Sequence, residues 1–143
     1  MTIKKKDLIF IFVLHLLSCT PNKDARNDKG QNDTTTVEVS CDSVDIGRVS
    51  VGDSIQIVYV LKNIGKTPLY IEDVELSCDC TTAEFSHEEV VSGDSTTIIL
   101  TYKAEGSPGY LYRTADVICN SVSAIELVFT GYIDDFNGIV SKD

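Results

Sequence analysis

The chain has 143 residues, of which 43% are hydrophobic, and its 12 basic and 22 acidic residues give a formal net charge of −10. This length predicts one domain with short appendages. The excess of carboxylates argues against nucleic acid as a partner, since binding it requires Lys and Arg to neutralise phosphates. Trp is absent, and the abundance of Val, Ile, Thr and Tyr favours strands over helices.

The first 18 residues have the features of a signal peptide. Three lysines, Lys4, Lys5 and Lys6, precede an apolar run over residues 8–17. A helix of that length covers about 15 Å, which is half of the roughly 30 Å hydrocarbon core of a bilayer. The run therefore indicates a cleaved targeting segment and not a membrane span.

The segment that follows, Leu16-Leu-Ser-Cys19, resembles a bacterial lipobox. The resemblance implies cleavage before Cys19, a lipid on its sulfur and usually an acyl chain on the new amine. Two or three chains give stable anchoring, because one chain alone binds membranes only marginally. Thr20 replaces the Asp of an inner-membrane retention signal, which favours the outer membrane, facing either the periplasm or the cell surface. The alternative is ordinary secretion with Cys19 as an unmodified thiol.

Residues 19–36 are predicted to be a flexible linker. They are rich in Asn, Asp and Thr and contain one aliphatic side chain, Ala25, so they can bury too little surface to offset the entropy of ordering. The chain therefore divides into a signal peptide (1–18), a lipidated linker (19–36), a β domain (37–136) and a C-terminal tail (137–143).

From residue 37 onward apolar and polar residues alternate, and Gly, Pro, Asn or Asp interrupts the alternation at short intervals. This pattern is typical of an all-β sandwich, here of about seven strands in two sheets. The predicted strands cover residues 37–41 with 44–46, 55–62, 69–76, 96–102, 110–119 and 125–133. The positions predicted to face the core are Ile55, Ile57, Tyr59, Leu61, Ile98, Leu100, Tyr102, Leu127 and Phe129.

Four motifs occur in order along this region: Val44-Asp-Ile-Gly-Arg-Val-Ser-Val-Gly-Asp53, Leu61-Lys-Asn-Ile-Gly-Lys-Thr-Pro-Leu69, Ser77-Cys-Asp-Cys-Thr81 and Phe129-Thr-Gly131. Together they resemble a lipoprotein family of unknown function from Bacteroidota-type bacteria, which is similar in turn to Hydin-like, major-sperm-protein-like and PapD-like domains. The resemblance covers residues 37–133 and implies an immunoglobulin-like β-sandwich. The chain departs from the family pattern at Asp79, where Gly is usual, and at Val44 and Ile46, where aromatic residues are usual.

A shorter resemblance concerns O-glycosylation. Asp33-Thr34-Thr35 matches the Asp-Ser/Thr-aliphatic/Thr acceptor pattern of this bacterial group. The same pattern recurs at Ser43, Ser54 and Ser95. Because only Thr34 lies in the predicted linker, it is the candidate acceptor.

Four cysteines remain after Cys19, namely Cys41, Cys78, Cys80 and Cys119, and they allow three complete pairings. The envelope beyond the inner membrane permits disulfides. In an antiparallel sandwich Cys41 and Cys119 fall at one end and the other two at the opposite end. Cross-pairing would span the length of a sheet, far beyond the roughly 7 Å limit between Cα atoms. The candidate pairs are therefore Cys78 with Cys80 and Cys41 with Cys119.

Three interpretations of Cys78-Asp-Cys80 remain open. The pair forms a structural disulfide or two quiet core thiols, it is redox-active, or it binds a soft metal such as copper(I). Two thiolates leave copper(I) under-coordinated, which makes His87 the candidate third ligand. A lone histidine in an acidic loop is also explained as a solvated side chain.

Nothing in the sequence points to catalysis. His87 is the only histidine after the signal peptide, and no Gly-x-Ser-x-Gly elbow is present. We expect a protein that is not an enzyme and carries no cofactor beyond the lipid on Cys19. The leading hypothesis is a binding or scaffolding domain for another envelope protein, acting through an exposed sheet edge or the end loops. The alternative is a thiol-redox or soft-metal-handling protein that uses Cys78 and Cys80.

Overall fold

The computed structural model describes residues 33–135, and this part of the chain contains eight strands and no helix. In chain order the strands are β1 (Val37–Val39), β2 (Ser43–Ser50), β3 (Ser54–Asn63), β4 (Ile71–Leu76), β5 (Thr81–Glu84), β6 (Ser95–Lys103), β7 (Gly109–Cys119) and β8 (Ile125–Asp134). They form two four-stranded sheets: sheet 1 has the order β1-β3-β6-β5 and sheet 2 the order β2-β8-β7-β4. The predicted signal peptide, Cys19, the linker up to residue 32, the last predicted domain residue 136 and the tail 137–143 lie outside the described residues.

The predicted all-β sandwich is confirmed, with eight strands where about seven were expected. The predicted broken first strand is in fact two strands in different sheets. Ser40 still donates its N–H to Val60 of β3 at 3.1 Å, whereas Asp42 accepts the N–H of Val128 of β8 at 2.7 Å. The unpredicted strand is β5, a polar four-residue segment without apolar alternation. It is extended because it pairs with β6.

The core lies between the two sheets. Every position predicted to face it is buried except Ile55, which is partly buried. The rings of Tyr102, from sheet 1, and Phe129, from sheet 2, meet with their centroids 5.3 Å apart. The alternation of the strands therefore identified the interior correctly, because successive side chains of a strand point to opposite faces.

The Asn63 side chain ties three segments together at one end of the sandwich. It is fully buried, and its Oδ1 accepts hydrogen bonds from Thr35 Oγ1 at 2.7 Å and from the Gly65 N–H at 3.1 Å. Its Nδ2 donates to the carbonyl oxygens of Thr67 at 2.9 Å and Val90 at 2.8 Å. The donors and acceptor of this buried amide therefore all have partners, which offsets the cost of burying it.

The same cluster holds the start of the domain. Thr35 is 2% exposed, and its N–H donates to the Asn120 carbonyl at 2.9 Å while its own carbonyl accepts the Val122 N–H at 2.9 Å. A Cβ on Gly65 would lie 2.1 Å from Thr35 Oγ1, so this turn admits only glycine. The hydrogen bonds of the domain therefore extend back to Thr35, two residues before β1. Thr35 was missed because its polar side chain gives no apolar signal.

A second close approach occurs between β2 and β8, which run parallel. Gly47 forms a bulge with a φ of 72°, and its N–H donates to Asp45 Oδ1 at 2.8 Å. A Cβ on Gly131 of β8 would lie 2.7 Å from the Gly47 carbonyl oxygen. One contact therefore explains Gly47 of the first motif and Gly131 of the last. Gly47 adopts a left-handed conformation on β2 and lies against Gly131 of β8, where a side chain would not fit.

Two buried tyrosines make a matched test of the core. Tyr59 donates its hydroxyl to the Val128 carbonyl at 2.7 Å, whereas the buried hydroxyl of Tyr102 has no hydrogen-bond partner among residues 33–135. We expect Tyr59→Phe to lower the free energy of unfolding by about 1 kcal/mol, and Tyr102→Phe to leave it unchanged or raise it by up to about 1 kcal/mol. Urea unfolding at pH 7 measures both. Equal losses in the two variants would contradict the hydrogen-bond assignment.

Tyr59 should also make the fold less stable at alkaline pH. Burial, and secondarily the nearby Cys41, raises the pKa of Tyr59 from 10.0 to about 12. The unfolded chain therefore loses this proton first, and the free energy of unfolding falls as pH rises from 10 to 12, by up to about 1.4 kcal/mol per pH unit. Chemical unfolding across this range should show a shallower slope for Tyr59→Phe than for the wild type. An unchanged slope would show that Tyr59 titrates normally.

Candidate functional site

Cys78 and Cys80 are joined by a disulfide with their Cα atoms 5.2 Å apart. The bond lies in the tight turn between β4 and β5, where the Thr81 N–H donates to the Cys78 carbonyl at 3.3 Å. Cys80 packs against the core, and its carbonyl accepts the N–H of Lys103 from β6 at 2.9 Å. In this arrangement the two sulfurs close a turn, and neither is a thiolate available to a metal.

The candidate disulfide between Cys41 and Cys119 is not formed in the structure, where both are free thiols. Both lie at the same end of sheet 2, as expected, but β8 separates them because the strand order is β2-β8-β7. Two strand spacings amount to about 9.6 Å, which exceeds the roughly 4.4–6.8 Å between paired Cα atoms. Burial raises the pKa of the Cys119 thiol, which keeps it protonated and unreactive at neutral pH.

His87 lies far from the disulfide. Its Nδ1 is 3.2 Å from the carbonyl oxygen of Ile71, at the start of β4, and its ring meets that of Phe85 edge-on at 4.9 Å. Cys78 follows the far end of β4, about 20 Å away. Among residues 33–135, no group of three or more Cys, His, Asp and Glu side chains is placed to hold a metal ion. The structure thus separates the candidate ligands His87, Cys78 and Cys80.

The sandwich has two distinct ends. The linker end contains Thr35, Asn63 and Asn120, where the chain enters the domain. The disulfide end contains Cys80 and Ala104, whose carbonyl accepts the Gly52 N–H at 2.8 Å. Since β8 has 10 residues, the two ends are about 30 Å apart. Thr34, the candidate glycosylation position, is exposed at the linker end.

Three exposed tyrosines, here called the tyrosine surface, lie on the outer face of sheet 2 towards the disulfide end. They are Tyr110 (73% exposed), Tyr112 (51%) and Tyr132 (41%). Tyr110 lies directly opposite Tyr132 across the β7–β8 ladder, and Tyr112 lies opposite Thr130. The outward register of these strands therefore gathers three aromatic rings on one area of solvent-facing sheet.

An arginine from β2 stacks on this surface. The Arg48 guanidinium carbon lies 4.8 Å from the ring centre of Tyr132, and Nε donates to Asp134 Oδ2 at 2.7 Å. A second bond joins Arg48 Nη2 to Asp134 Oδ1, and this pairing raises the pKa of the guanidinium. An open depression of about 350 Å³ lies beside it. It is lined by Asp45, Gly47, Arg48, Tyr110, Thr130, Gly131 and Tyr132.

Three carboxylates, here called the acidic row, cross the same face nearer the linker end. Glu75 of β4 lies directly opposite Asp116 of β7, which lies directly opposite Glu126 of β8. All three are exposed. Like charges directly opposite one another destabilise a sheet. Among the ion pairs of residues 33–135 none involves the acidic row.

Neither the tyrosine surface nor the acidic row was identified from the sequence. The signal for the tyrosines was present, since Tyr110 and Tyr112 alternate with the inward Leu111 on a predicted strand. The acidic row had no local signal, because Glu75, Asp116 and Glu126 become neighbours only through strand register.

The fold defines a class, the immunoglobulin-like β-sandwich of PapD-like type. The chain is similar to the ASH/PapD-like domain 7 of human CEP192, with 13% identity, a TM-score of 0.57 and coverage of 72% of this chain and 88% of that domain. It is also similar to the YadV chaperone, with 17% identity, a TM-score of 0.50 and coverage of 71% and 53%. These likenesses establish the fold alone.

Residues 37–133 match the family described as a protein of unknown function, DUF1573, and the chain belongs to this family. A protein of unknown function from Porphyromonas gingivalis W83 is similar in structure, with 21% identity, a TM-score of 0.60 and coverage of 69% of this chain. The chain spans 47% of that protein's length. No curated protein matches the chain. Within residues 33–135, no helix is long and apolar enough to cross a bilayer.

Removing the disulfide should cost stability and little else. The bond closes a loop between residues only two apart in sequence, so we expect Cys78→Ser with Cys80→Ser to lower the free energy of unfolding by about 1.5–2 kcal/mol. Urea unfolding measures the change. Reductant should produce the same loss in the wild type and none in the double variant. A loss above about 4 kcal/mol would show that the turn stabilises more than its own loop.

Proposed function

We propose that this protein is an envelope lipoprotein, anchored through Cys19, whose immunoglobulin-like domain is non-catalytic and binds another envelope protein. The observation that carries the proposal is the tyrosine surface beside Arg48. Tyr is enriched at protein interfaces and among the residues that dominate binding energy. Each tyrosine offers a large rigid apolar ring with one polar atom, at low entropic cost on binding.

The sheet edges support binding through the face of sheet 2 in preference to strand addition. The edge strands of sheet 1 are short, three residues in β1 and four in β5. On sheet 2, β2 is interrupted by the Gly47 bulge and β4 by a register shift beside Asp73. Short, bulged and charged edges are the devices that prevent a further strand from pairing. By contrast, β7 and β8 pair without a register shift, so their outer face is uninterrupted.

The position of the linker supports the same proposal. The chain enters the domain at the linker end, held by Thr35 and Asn63. With a lipid anchor on the linker side, the disulfide end, about 30 Å away along the strands, would be the end of the domain farther from the bilayer.

Site-specific photo-crosslinking tests the proposal in the native envelope. A photoreactive phenylalanine analogue at Tyr112 should give a discrete crosslinked product with one envelope protein. The same analogue at Val58, which is 55% exposed on β3 of sheet 1, is the matched control and should not. Intact mass of the purified protein checks that the lipid on Cys19 is present, and it also reports any glycan on Thr34.

The outcomes separate the proposal from the thiol-based alternative. The crosslink should persist when Cys78 and Cys80 are both replaced by Ser, since the disulfide bond only stabilises the turn between β4 and β5. Loss of the crosslink in that variant, with the domain still folded, would favour the redox or metal function. Equal products from Tyr112 and Val58, or none from either, would refute binding through sheet 2.

A further inference from the structure

We infer that the partner of this face is a cationic protein segment, rich in Arg, that lies along β7 and β8 from the tyrosine surface to the acidic row. This inference rests on the proposed function and adds the chemistry of the partner. Three features carry it: the unpaired carboxylates, the exposed rings with the guanidinium that this chain places on one of them, and the length of the strip that contains both groups.

The first feature is charge. The acidic row sets Glu75, Asp116 and Glu126 side by side on three adjacent strands. Within residues 33–135 the cation on this face is Arg48, which is already paired with Asp134. Arg113 of β7 has the inward register, opposite the buried Phe129. Lys62 and Lys103 lie on β3 and β6 of sheet 1. A partner with basic side chains would relieve the repulsion that the free sheet contains, whereas a second copy of this chain would double it.

The second feature is the ring chemistry. The face of a tyrosine ring attracts cations through its quadrupole, and Arg is the residue most often found there. The Arg48 guanidinium, 4.8 Å from the ring centre of Tyr132 and bonded through Nε to Asp134 at 2.7 Å, shows this preference within the molecule. An Arg of the partner would stack on Tyr110 in the same way as Arg48 stacks on Tyr132. Tyr110 is 73% exposed, and among residues 33–135 no cation lies over its ring.

The third feature is length. Tyr110 and Asp116 lie six residues apart on β7, and their side chains point to the same face. The distance between them is about 20 Å, so an extended segment of about seven residues spans both groups. Tyr112 lies between them, opposite Thr130. The face is therefore a strip with aromatic groups at one end and carboxylates at the other.

The experiment uses the mature lipidated protein in nanodiscs of phosphatidylcholine and a fluorescent peptide of four Arg-Ser repeats as the probe. Matching Lys-Ser and Glu-Ser peptides are the comparisons. We expect the Arg peptide to bind, the Lys peptide to bind about threefold more weakly because it stacks less well, and the Glu peptide not to bind. Affinity should fall as salt rises from low to physiological concentration.

Paired charge variants locate the binding. Asp116→Asn with Glu126→Gln should weaken the Arg peptide about tenfold, while Glu38→Gln with Glu84→Gln, which removes the same charge from sheet 1, should change affinity less than about twofold. The first pair should also raise the unfolding midpoint by about 2 °C, since repulsion is relieved. Weaker binding by a more stable protein cannot arise from misfolding.

Arg48→Ala should change the affinity for the Arg peptide in the opposite direction. Removing this side chain frees the ring face of Tyr132 and the Asp134 carboxylate, so the Arg peptide should bind about threefold more tightly. An uncharged or anionic occupant would gain nothing from the freed carboxylate and ring face, so it would not bind this variant more tightly.

Three results would each overturn the inference: equal binding of the Arg and Glu peptides, equal weakening by the two charge-variant pairs, or weaker binding by Arg48→Ala. If the photo-crosslink from Tyr112 forms but the Arg peptide does not bind, the proposed function stands and the cationic partner is refuted. If the peptide binds this face while the envelope gives no crosslink, binding through sheet 2 in the cell is refuted.

Discussion

The buried amide of Asn63 is the interaction on which the arrangement of the linker end depends. One side chain joins the segment before β1, the turn after β3 and the loop after β5 through Thr35, Thr67 and Val90. Aspartate could accept but not donate, and leucine would leave the surrounding polar groups unmatched. The Asn-x-Gly motif therefore follows from two requirements: an amide to connect the segments, and a glycine at position 65 to let Thr35 approach.

Much of this fold was predictable because the information is local. Alternation along the strands identified the interior, and the glycines and Pro68 marked the turns. The separation of β1 from β2 was not predictable in the same way, since the crossing between sheets depends on Ser40 and Asp42 finding different partner strands. The strand β5 was missed for a related reason: its four residues are extended only because β6 pairs with them.

The candidate site shows the same limit more strongly. Three carboxylates distant in sequence become neighbours through the β4–β7–β8 register, and no local pattern announces that. The Cys78-Asp-Cys80 motif is unusual as a sequence, yet in the folded chain it closes a turn at the disulfide end. The rare sequence motif therefore serves the fold, whereas the candidate binding surface is made of common residues that are exposed on sheet 2.

The position of β8 has a consequence for how the chain reaches this structure. The last strand lies inside sheet 2, between β2 from the beginning of the domain and β7. Residues 43–50 therefore have no sheet partner until the final strand is available, and their pairing closes a loop of more than eighty residues, as the separation of 86 between Arg48 and Asp134 shows. Such non-local pairing slows folding. A chain synthesised from its N-terminus therefore cannot complete sheet 2 until its last strand appears.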